Sequence, residues 1–143
     1  MRAKTQAPIY LHAEDLPLWH SLPLQCMMLG LPQPGKIVKK PEFTLSHGDE
    51  IGFHNGCVLH TPGHTRGSCC FHFPEDRLLF SGDTIFNEGV GRTDFPGGNS
   101  QALMESIRTK LLPLPEDTRI IAGHGDETTL LNEKESNPFI QHL

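Results

Sequence analysis

The sequence lacks the features that mark a nucleic-acid-binding, membrane-spanning or secreted protein. No run of basic residues among its 143 positions is longer than Lys39-Lys40, and the formal net charge is -5. These two features argue against nucleic acid or an anionic membrane as the main partner. No apolar stretch reaches transmembrane length, and the first eight residues contain no apolar signal region. The composition therefore predicts one cytoplasmic domain, residues 1–143, without a nucleic-acid or membrane partner.

The four cysteines form no CxxC pair, which is the spacing typical of zinc ribbons and thioredoxin-like redox motifs. Cys69 and Cys70 are adjacent, and the other two, Cys26 and Cys57, stand alone. This spacing predicts reduced thiols that pack in strands and in the core, rather than disulfides or metal ligands.

Most of the chain consists of short apolar runs separated by turn residues, a pattern typical of strands. Asn55-Gly56 between two such runs predicts a hairpin, and Pro74-Glu75-Asp76 predicts another. We predict strands over residues 8–12, 43–45, 50–53, 57–60, 68–73, 78–81 and 118–122.

Helix signals are fewer. Asn99 or Ser100 is predicted to cap a helix that runs to about Leu112, and a helical turn is expected before Asn137-Pro138. A short helix is expected from Asp15 to about Leu22, with irregular loops over residues 23–41 and 87–98. Strands followed by a helix and a further strand predict a layered α/β protein with a mixed sheet and flanking helices.

His64, Asp83 and His124 are the candidate metal ligands, because they share one local context. Each follows an apolar run and a glycine, which lets the backbone approach closely without a side chain in the way. Two imidazoles and a carboxylate suit zinc or iron. The repeated context favours ligation over a packed histidine or an ordinary turn aspartate.

His60 lies four residues before His64, a spacing that places two histidines on one face of a helix in H-E-x-x-H sites. Pro62-Gly63 lies between them and excludes that helix. Only His64 is therefore predicted to reach a metal, and His60 is expected to be a strand residue.

Five motifs together resemble metallo-β-lactamase-fold hydrolases, and within them the glyoxalase II-like thioesterases. The similarity runs from Pro8 to Phe139. The motifs are Thr61-Pro62-Gly63-His64-Thr65, Ser81-Gly82-Asp83-Thr84-Ile85-Phe86, Gly89 to Gly98 with Gly91-Arg92-Thr93-Asp94-Phe95, Gly123-His124-Gly125 and Glu133 to Phe139. The resemblance implies an αββα sandwich, of which this chain is similar to the C-terminal part.

Proteins of that family also carry an H-x-H-x-D-H motif, which no segment of this sequence matches. The resemblance implies that His64 completes one metal site, that Asp83 bridges two metals and that His124 completes the second site. It implies zinc, as one or two ions, or iron. It places Arg92 opposite a substrate carboxylate, although a solvated loop arginine is an equal alternative, and it gives Asp94 a bracing role in the loop.

The resemblance implies hydrolysis of a small-molecule thioester, and we expect this activity to be very weak because part of the ligand set is absent from the sequence. Two alternatives stay open: a non-catalytic remnant that binds one metal ion or a partner chain, and a relative of mono-iron persulfide dioxygenases. Without the front strands of the sandwich, the sheet would expose apolar surface. We therefore expect self-association into a homo-oligomer.

Overall fold

A computed structural model describes residues 7–28, 30–33 and 41–143 of the chain. The chain divides into two compact units, residues 1–45 and residues 46–143. All of the candidate metal ligands belong to the second unit.

The first unit contains a pair of parallel strands, β1 (Tyr10–His12) and β2 (Phe43–Leu45). Tyr10 and Phe43 face each other in the register and stack, with 4.9 Å between ring centroids. The residues directly before the two strands are also joined: the backbone N–H of Ile9 donates to the Glu42 carboxylate over 2.8 Å. Between the strands lie a 3-10 turn and two helices: Ala13–Asp15, α1 (Leu16–His20) and α2 (Leu22–Met28).

Helix α2 corrects the prediction of an irregular loop over residues 23–41. Pro23 is the second residue of this helix, where its missing N–H costs no hydrogen bond, so it does not break the helix. Leu24, Gln25, Met27 and Met28 all have high helix propensity. Residues 29 and 34–40 of the predicted loop lie outside the described residues.

The second unit is built on a six-stranded sheet. Its strands are β3 (Glu50–Ile51), β4 (Gly56–His60), β5 (Cys69–Phe73), β6 (Leu78–Gly82), β9 (Arg119–Ala122) and β10 (Thr128–Thr129). They lie in the order β10-β9-β6-β5-β4-β3, in which β6 and β9 are parallel and every other neighbouring pair is antiparallel. The mixed sheet and α/β class predicted from the sequence are therefore confirmed.

Three strands of this sheet end at the same edge. Strand β4 is antiparallel to β5, which is antiparallel to β6, so β4 and β6 run in one direction, and β9 runs parallel to β6. His64, Asp83 and His124 follow these three strands in turn. The direction of the strands therefore brings residues that are far apart in sequence to one edge.

The core lies between the sheet and the helices of this unit. Helix α3 (Ser100–Ser106) continues as a π-helical turn, Ile107–Leu111, and Asn99 caps it by accepting the backbone N–H of Ala102 over 2.9 Å. The predicted cap and helix are thus confirmed, as is a helix before Asn137, α4 (Leu130–Ser136). The buried cluster comprises Cys70, Leu79, Ile85, Leu103, Ile107, Leu111, Ile120, Leu130 and Ile140.

A small hairpin was not predicted from the sequence. Strands β7 (Ile85–Phe86) and β8 (Gly89–Val90) pair in antiparallel fashion within the segment after Asp83. Two-residue strands are too short to show the alternation by which a strand is recognised. The hairpin follows directly from β6 and lies beside the edge that carries the candidate ligands.

The helices of the described ranges are all short. None of them has both the length and the apolar character that a membrane crossing requires.

Candidate metal site

His64 and Asp83 form the centre of the site. The Nε2 atom of His64 lies 3.4 Å from Oδ2 of Asp83, and both side chains are partly open to solvent, with 22% and 37% exposed. Nineteen residues separate them in sequence, and the common direction of β4 and β6 brings them together.

The His64 ring is oriented by a backbone contact on its far side. Its Nδ1 atom lies 2.9 Å from the carbonyl oxygen of Arg92, and a carbonyl only accepts, so Nδ1–H donates. In the neutral ring this leaves a lone pair on Nε2, the atom that faces Asp83. A backbone carbonyl on the second nitrogen is the usual arrangement behind a metal-bound histidine.

The separation of the two donor atoms fits a shared cation. Two atoms that ligate zinc at about 2.1 Å in tetrahedral geometry lie about 3.4 Å apart. An imidazole lone pair and a carboxylate oxygen repel each other unless a proton or a cation lies between them. The donor set and its spacing therefore match a metal such as zinc or iron.

His124 lies at the same edge but is held by a different contact. Its ring stacks on Phe86 of β7, with 4.4 Å between centroids and 24° between planes. For these three described side chains, the donor atoms do not all lie within 4.8 Å of one another. The structure thus pairs His64 with Asp83 and places His124 beside the hairpin that follows Asp83.

Two glycines let the backbone close around Asp83. A Cβ on Gly91 would collide with the carbonyl oxygen of Asp83 and would lie 3.3 Å from Cβ of His64. A Cβ on Gly123 would collide with Oδ1 of Asp83. The backbone N–H of Gly123 also donates to the Gly82 carbonyl over 2.8 Å, which continues the pairing of β6 and β9 to this point. The position of Gly91 therefore requires glycine, because the clash there is with backbone, whereas a side chain at Gly123 would displace the Asp83 carboxylate.

A buried group of hydroxyls and a thiol links the segment before His64 to the segment after Asp83. The Thr61 Oγ1 atom lies 3.2 Å from Oγ1 of Thr84 and 3.3 Å from Sγ of Cys70. The two threonine side chains are at most 1% exposed, and burial raises the pKa of the Cys70 thiol. Cys70 is thus a protonated core residue, as the sequence predicted for the cysteines, and it takes part in holding the two motifs together.

Arg92 lies on the exposed side of the site. Its guanidinium donates two hydrogen bonds, of 2.8 and 3.0 Å, to the Asp94 carboxylate. These hydrogen bonds hold the pKa of Asp94 below its ordinary value and raise that of Arg92. The Arg92 Cζ atom also lies 5.7 Å from the centroid of Phe95, whose ring meets the His64 ring edge-on at 5.0 Å. Asp94 thus pairs with Arg92 on the exposed side of the loop.

The sequence did not indicate three contributors to the site: Phe86, Phe95 and the carbonyl oxygen of Arg92. The two aromatic rings lie within the quoted motifs, but neither spacing nor residue type predicts that they contact His124 and His64. A backbone carbonyl leaves no signal in a sequence at all.

Comparison with known proteins gives similarity along the whole chain. Hydroxyacylglutathione hydrolase GloC of Haemophilus influenzae is 47% identical over 131 residues, which cover 89% of this chain and 60% of that protein. A probable metallo-hydrolase of Bacillus subtilis, YqgX, is 40% identical over 146 residues, which cover 98% of this chain and 67% of the relative. The chain thus spans about two thirds or less of the length of these relatives.

A solved structure has the same fold. The crystal structure of TTHA1623 in a di-iron-bound form superimposes with a TM-score of 0.88 at 40% identity, over 96% of this chain and 67% of that one. The family model of the metallo-β-lactamase superfamily matches residues 1–124. With its mixed sheet and its ligand-type residues at one sheet edge, the chain belongs to the metallo-β-lactamase superfamily.

Proposed function

We propose that the chain is part of a metal-dependent hydrolase that acts on small-molecule thioesters, as glyoxalase II-like enzymes do. The observation that carries the proposal is the pairing of His64 with Asp83, with Nδ1 of the histidine held by the Arg92 carbonyl. The identity of 47% to a hydroxyacylglutathione hydrolase supports the thioester as the substrate class.

In this proposal His64, Asp83 and His124 hold the cation. His64 would present the Nε2 lone pair and Asp83 its carboxylate, and His124, which follows β9, would supply a further donor. A divalent cation bound there supplies Lewis acidity, which polarises a carbonyl and lowers the pKa of water. The work of this chain is to keep the donor atoms in place: the Arg92 carbonyl fixes the His64 ring, and the Phe86 ring fixes His124.

The exposed side of the site suits an anionic substrate. Arg92 is 71% exposed, and its guanidinium lies beside Phe95, which borders His64. A carboxylate on the substrate could bind this guanidinium in place of Asp94 while its thioester lies at the metal. We propose Arg92 as the substrate-binding residue on this ground.

Zinc and iron both remain candidates for the metal. Imidazole and carboxylate bind either ion, and the solved relative TTHA1623 is described as a di-iron-bound form. Metal identity therefore has to be measured, and dioxygen uptake separates thioester hydrolysis from a mono-iron oxygenase activity.

The decisive test of the site is metal binding by the 143-residue chain. Purified metal-free protein is titrated with Zn²⁺ and, under anaerobic conditions, with Fe²⁺, against a chromophoric competing chelator. We expect one ion per chain, and a loss of affinity of about 10-fold or more in each of the variants His64→Asn, Asp83→Asn and His124→Asn.

His54→Asn is the matched control. His54 is exposed, pairs with Asp76 over 3.0 Å and lies before the start of β4, at the opposite edge of the sheet from His64. It should leave the affinity unchanged. Equal losses in His54→Asn and His64→Asn, or no binding by the unaltered chain, would contradict the site assignment.

The activity is tested separately with S-lactoylglutathione, by following the loss of thioester absorbance. The sequence contains no H-x-H-x-D-H segment, so we expect turnover by the chain itself to be very slow, and slower still in Asp83→Asn. Turnover in the normal range for enzymes would overturn this expectation. Metal binding without any turnover would favour the non-catalytic alternative, and dioxygen uptake with a persulfide would favour the oxygenase.

A further inference from the structure

A carboxylate is buried behind the site, in a place that the proposed chemistry does not use. Glu133 of α4 is 0% exposed, and four donors surround it. Its Oε2 atom accepts from the Glu88 backbone N–H at 3.0 Å and from Asn137 Nδ2 at 2.7 Å. Its Oε1 atom accepts from Thr128 Oγ1 at 2.6 Å and from Asn132 Nδ2 at 3.2 Å. Burial of such a group is costly unless it is satisfied in this way.

Asn137 extends these contacts to the same hairpin. Its side chain is also 0% exposed, and its Nδ2 atom donates to the carbonyl oxygen of Gly89 over 3.0 Å. Glu133 and Asn137 thus hold both sides of the turn between β7 and β8, at Glu88 and Gly89. Glu88 has a φ of 57°, a conformation that a residue other than glycine adopts only when its surroundings impose it.

The hairpin held in this way and the two residues after it contact all three candidate ligands. Phe86 stacks on His124, and Gly91, directly after β8, packs against the carbonyl of Asp83. The next residue, Arg92, offers the carbonyl oxygen that orients His64. The hairpin and the two residues after it therefore connect α4 to His64, Asp83 and His124.

We propose that Glu133 and Asn137 are positioning residues for the metal site, which act through the β7–β8 hairpin. Loss of either contact lets the turn at Glu88 relax, so that Phe86 leaves the His124 ring and the Arg92 carbonyl leaves His64. Only the expected loss of metal affinity rests on the proposed function. The orientation of the His64 and His124 rings is a property of the metal-free chain and can be measured without a metal.

The first measurement needs no metal. In metal-free protein of full length, NMR spectra of the histidine rings report the ring-current shift of the His124 carbon-bound protons above Phe86, and the tautomer of His64. We expect two variants to reduce that shift and to mix the His64 tautomers. Glu133→Met removes the acceptor of the Glu88 backbone N–H, and Asn137→Ala removes the hydrogen bond to Gly89. The second measurement is zinc affinity, which should fall about 10- to 100-fold in both variants.

Thr129→Ala is the matched control. Thr129 caps α4 by accepting the backbone N–H of Asn132 over 3.2 Å, so its loss destabilises the same helix without removing a contact of the hairpin. We expect this variant to keep the His124 shift, the His64 tautomer and the zinc affinity of the unaltered chain.

If Glu133→Met and Asn137→Ala behave like Thr129→Ala in the NMR spectra, the proposal is wrong and the two residues only stabilise α4. If one variant does not fold, the other decides, because each removes a different contact of the turn. If the unaltered chain binds no zinc, the proposed function fails, and the NMR comparison still decides whether Glu133 and Asn137 position the rings.

Discussion

Nε2 of His64 lies 3.4 Å from Oδ2 of Asp83 while Nδ1 of the same ring is held by a backbone carbonyl. We propose that this relationship makes the two residues, which lie at one edge of the sheet, a preformed pair of metal donors. The structure around this pair leads to four predictions. They concern the close backbone at Asp83, the buried threonines and the core of the second unit.

Adding a methyl group beside Asp83 should damage the site. In Gly123→Ala the new Cβ collides with the Asp83 carboxylate, and in Gly91→Ala it collides with the Asp83 carbonyl. We expect Gly91→Ala to lose about 1–3 kcal/mol of unfolding free energy and Gly123→Ala to lose less, because the Asp83 side chain can move. Both variants should lose at least about 10-fold in zinc affinity. Urea denaturation and a chelator titration measure the two effects.

Gly52→Ala is the control for these variants, because a Cβ at Gly52 meets nothing within 4 Å and its φ is not in the left-handed region. It should change neither stability nor zinc affinity measurably. Similar losses in all three variants would show that the close approach to Asp83 is not the cause of the lost stability and zinc affinity.

Removing the Thr61 hydroxyl should weaken the link between the two motifs. In Thr61→Val, the buried Thr84 hydroxyl and Cys70 thiol lose a partner, with an expected cost of about 1–3 kcal/mol. In the double variant Thr61→Val/Thr84→Val the losses should not add, since both remove the same hydrogen bond. Additive losses would mean that the two threonines act separately.

Thr109→Val is the control for the threonine variants. The Thr109 side chain is exposed and donates only to the Glu105 carbonyl in its own helical segment, over 2.7 Å. Its loss should cost about 0.5 kcal/mol or less.

Acidification should destabilise the fold partly through His72. Burial lowers the pKa of His72 from its ordinary value of 6.5, and its Nε2 atom has no hydrogen-bond partner among the described residues. The His72 ring therefore binds a proton more readily in the unfolded chain than in the folded chain. Its contribution to the free energy of unfolding is complete above pH 6.5 and is lost as the pH falls below that value. The free energy of unfolding should fall from pH 7.5 to pH 5.5, and less so in His72→Leu.

His47→Gln serves as the comparison, because His47 lies exposed in the turn before β3. It should retain the pH dependence of the unaltered chain. Identical pH dependence in His72→Leu and the unaltered chain would remove His72 as the cause.

Cys70 should be the last thiol to react. It is 0% exposed and burial raises its pKa, whereas Cys26, Cys57 and Cys69 are partly exposed. With an aromatic disulfide reagent in native buffer, we expect the partly exposed thiols to react first and Cys70 only on unfolding. Peptide mapping of the labelled chain, with Cys70→Ala as control, identifies the slow thiol. Early labelling of Cys70 would contradict its burial.

The sequence predicted turns and helix caps well, because these features depend on residues that are neighbours in the chain. The turn before β4 forms through His54 and Asn55, with φ values of 53° and 51°, one residue earlier than the predicted Asn55-Gly56 turn. Asn99 caps α3 as predicted, because a cap depends only on the next three residues. The prolines and glycines of residues 23–41 predict a loop, whereas Pro23 lies in the first turn of α2, where proline is compatible with a helix.

The site was predicted in part. Its candidate ligands were identified because each stands in a glycine-containing turn after an apolar run, which is a local pattern. The contacts that orient these ligands were not predicted. They join residues far apart in sequence, such as Glu88 and Glu133, which are 45 positions apart and meet through a backbone N–H. No propensity or spacing rule connects such positions.

By itself, the sequence determined the α/β class, most of the strands and the three ligand-type residues, because period-two alternation, turn chemistry and residue type are written along the chain. Only the tertiary structure decided that β4, β6 and β9 end at one edge, that His64 meets Asp83 and that His124 stacks on Phe86. These relationships depend on strand order and on the close packing of a hairpin. Both arise from the burial of the whole core and not from any one segment.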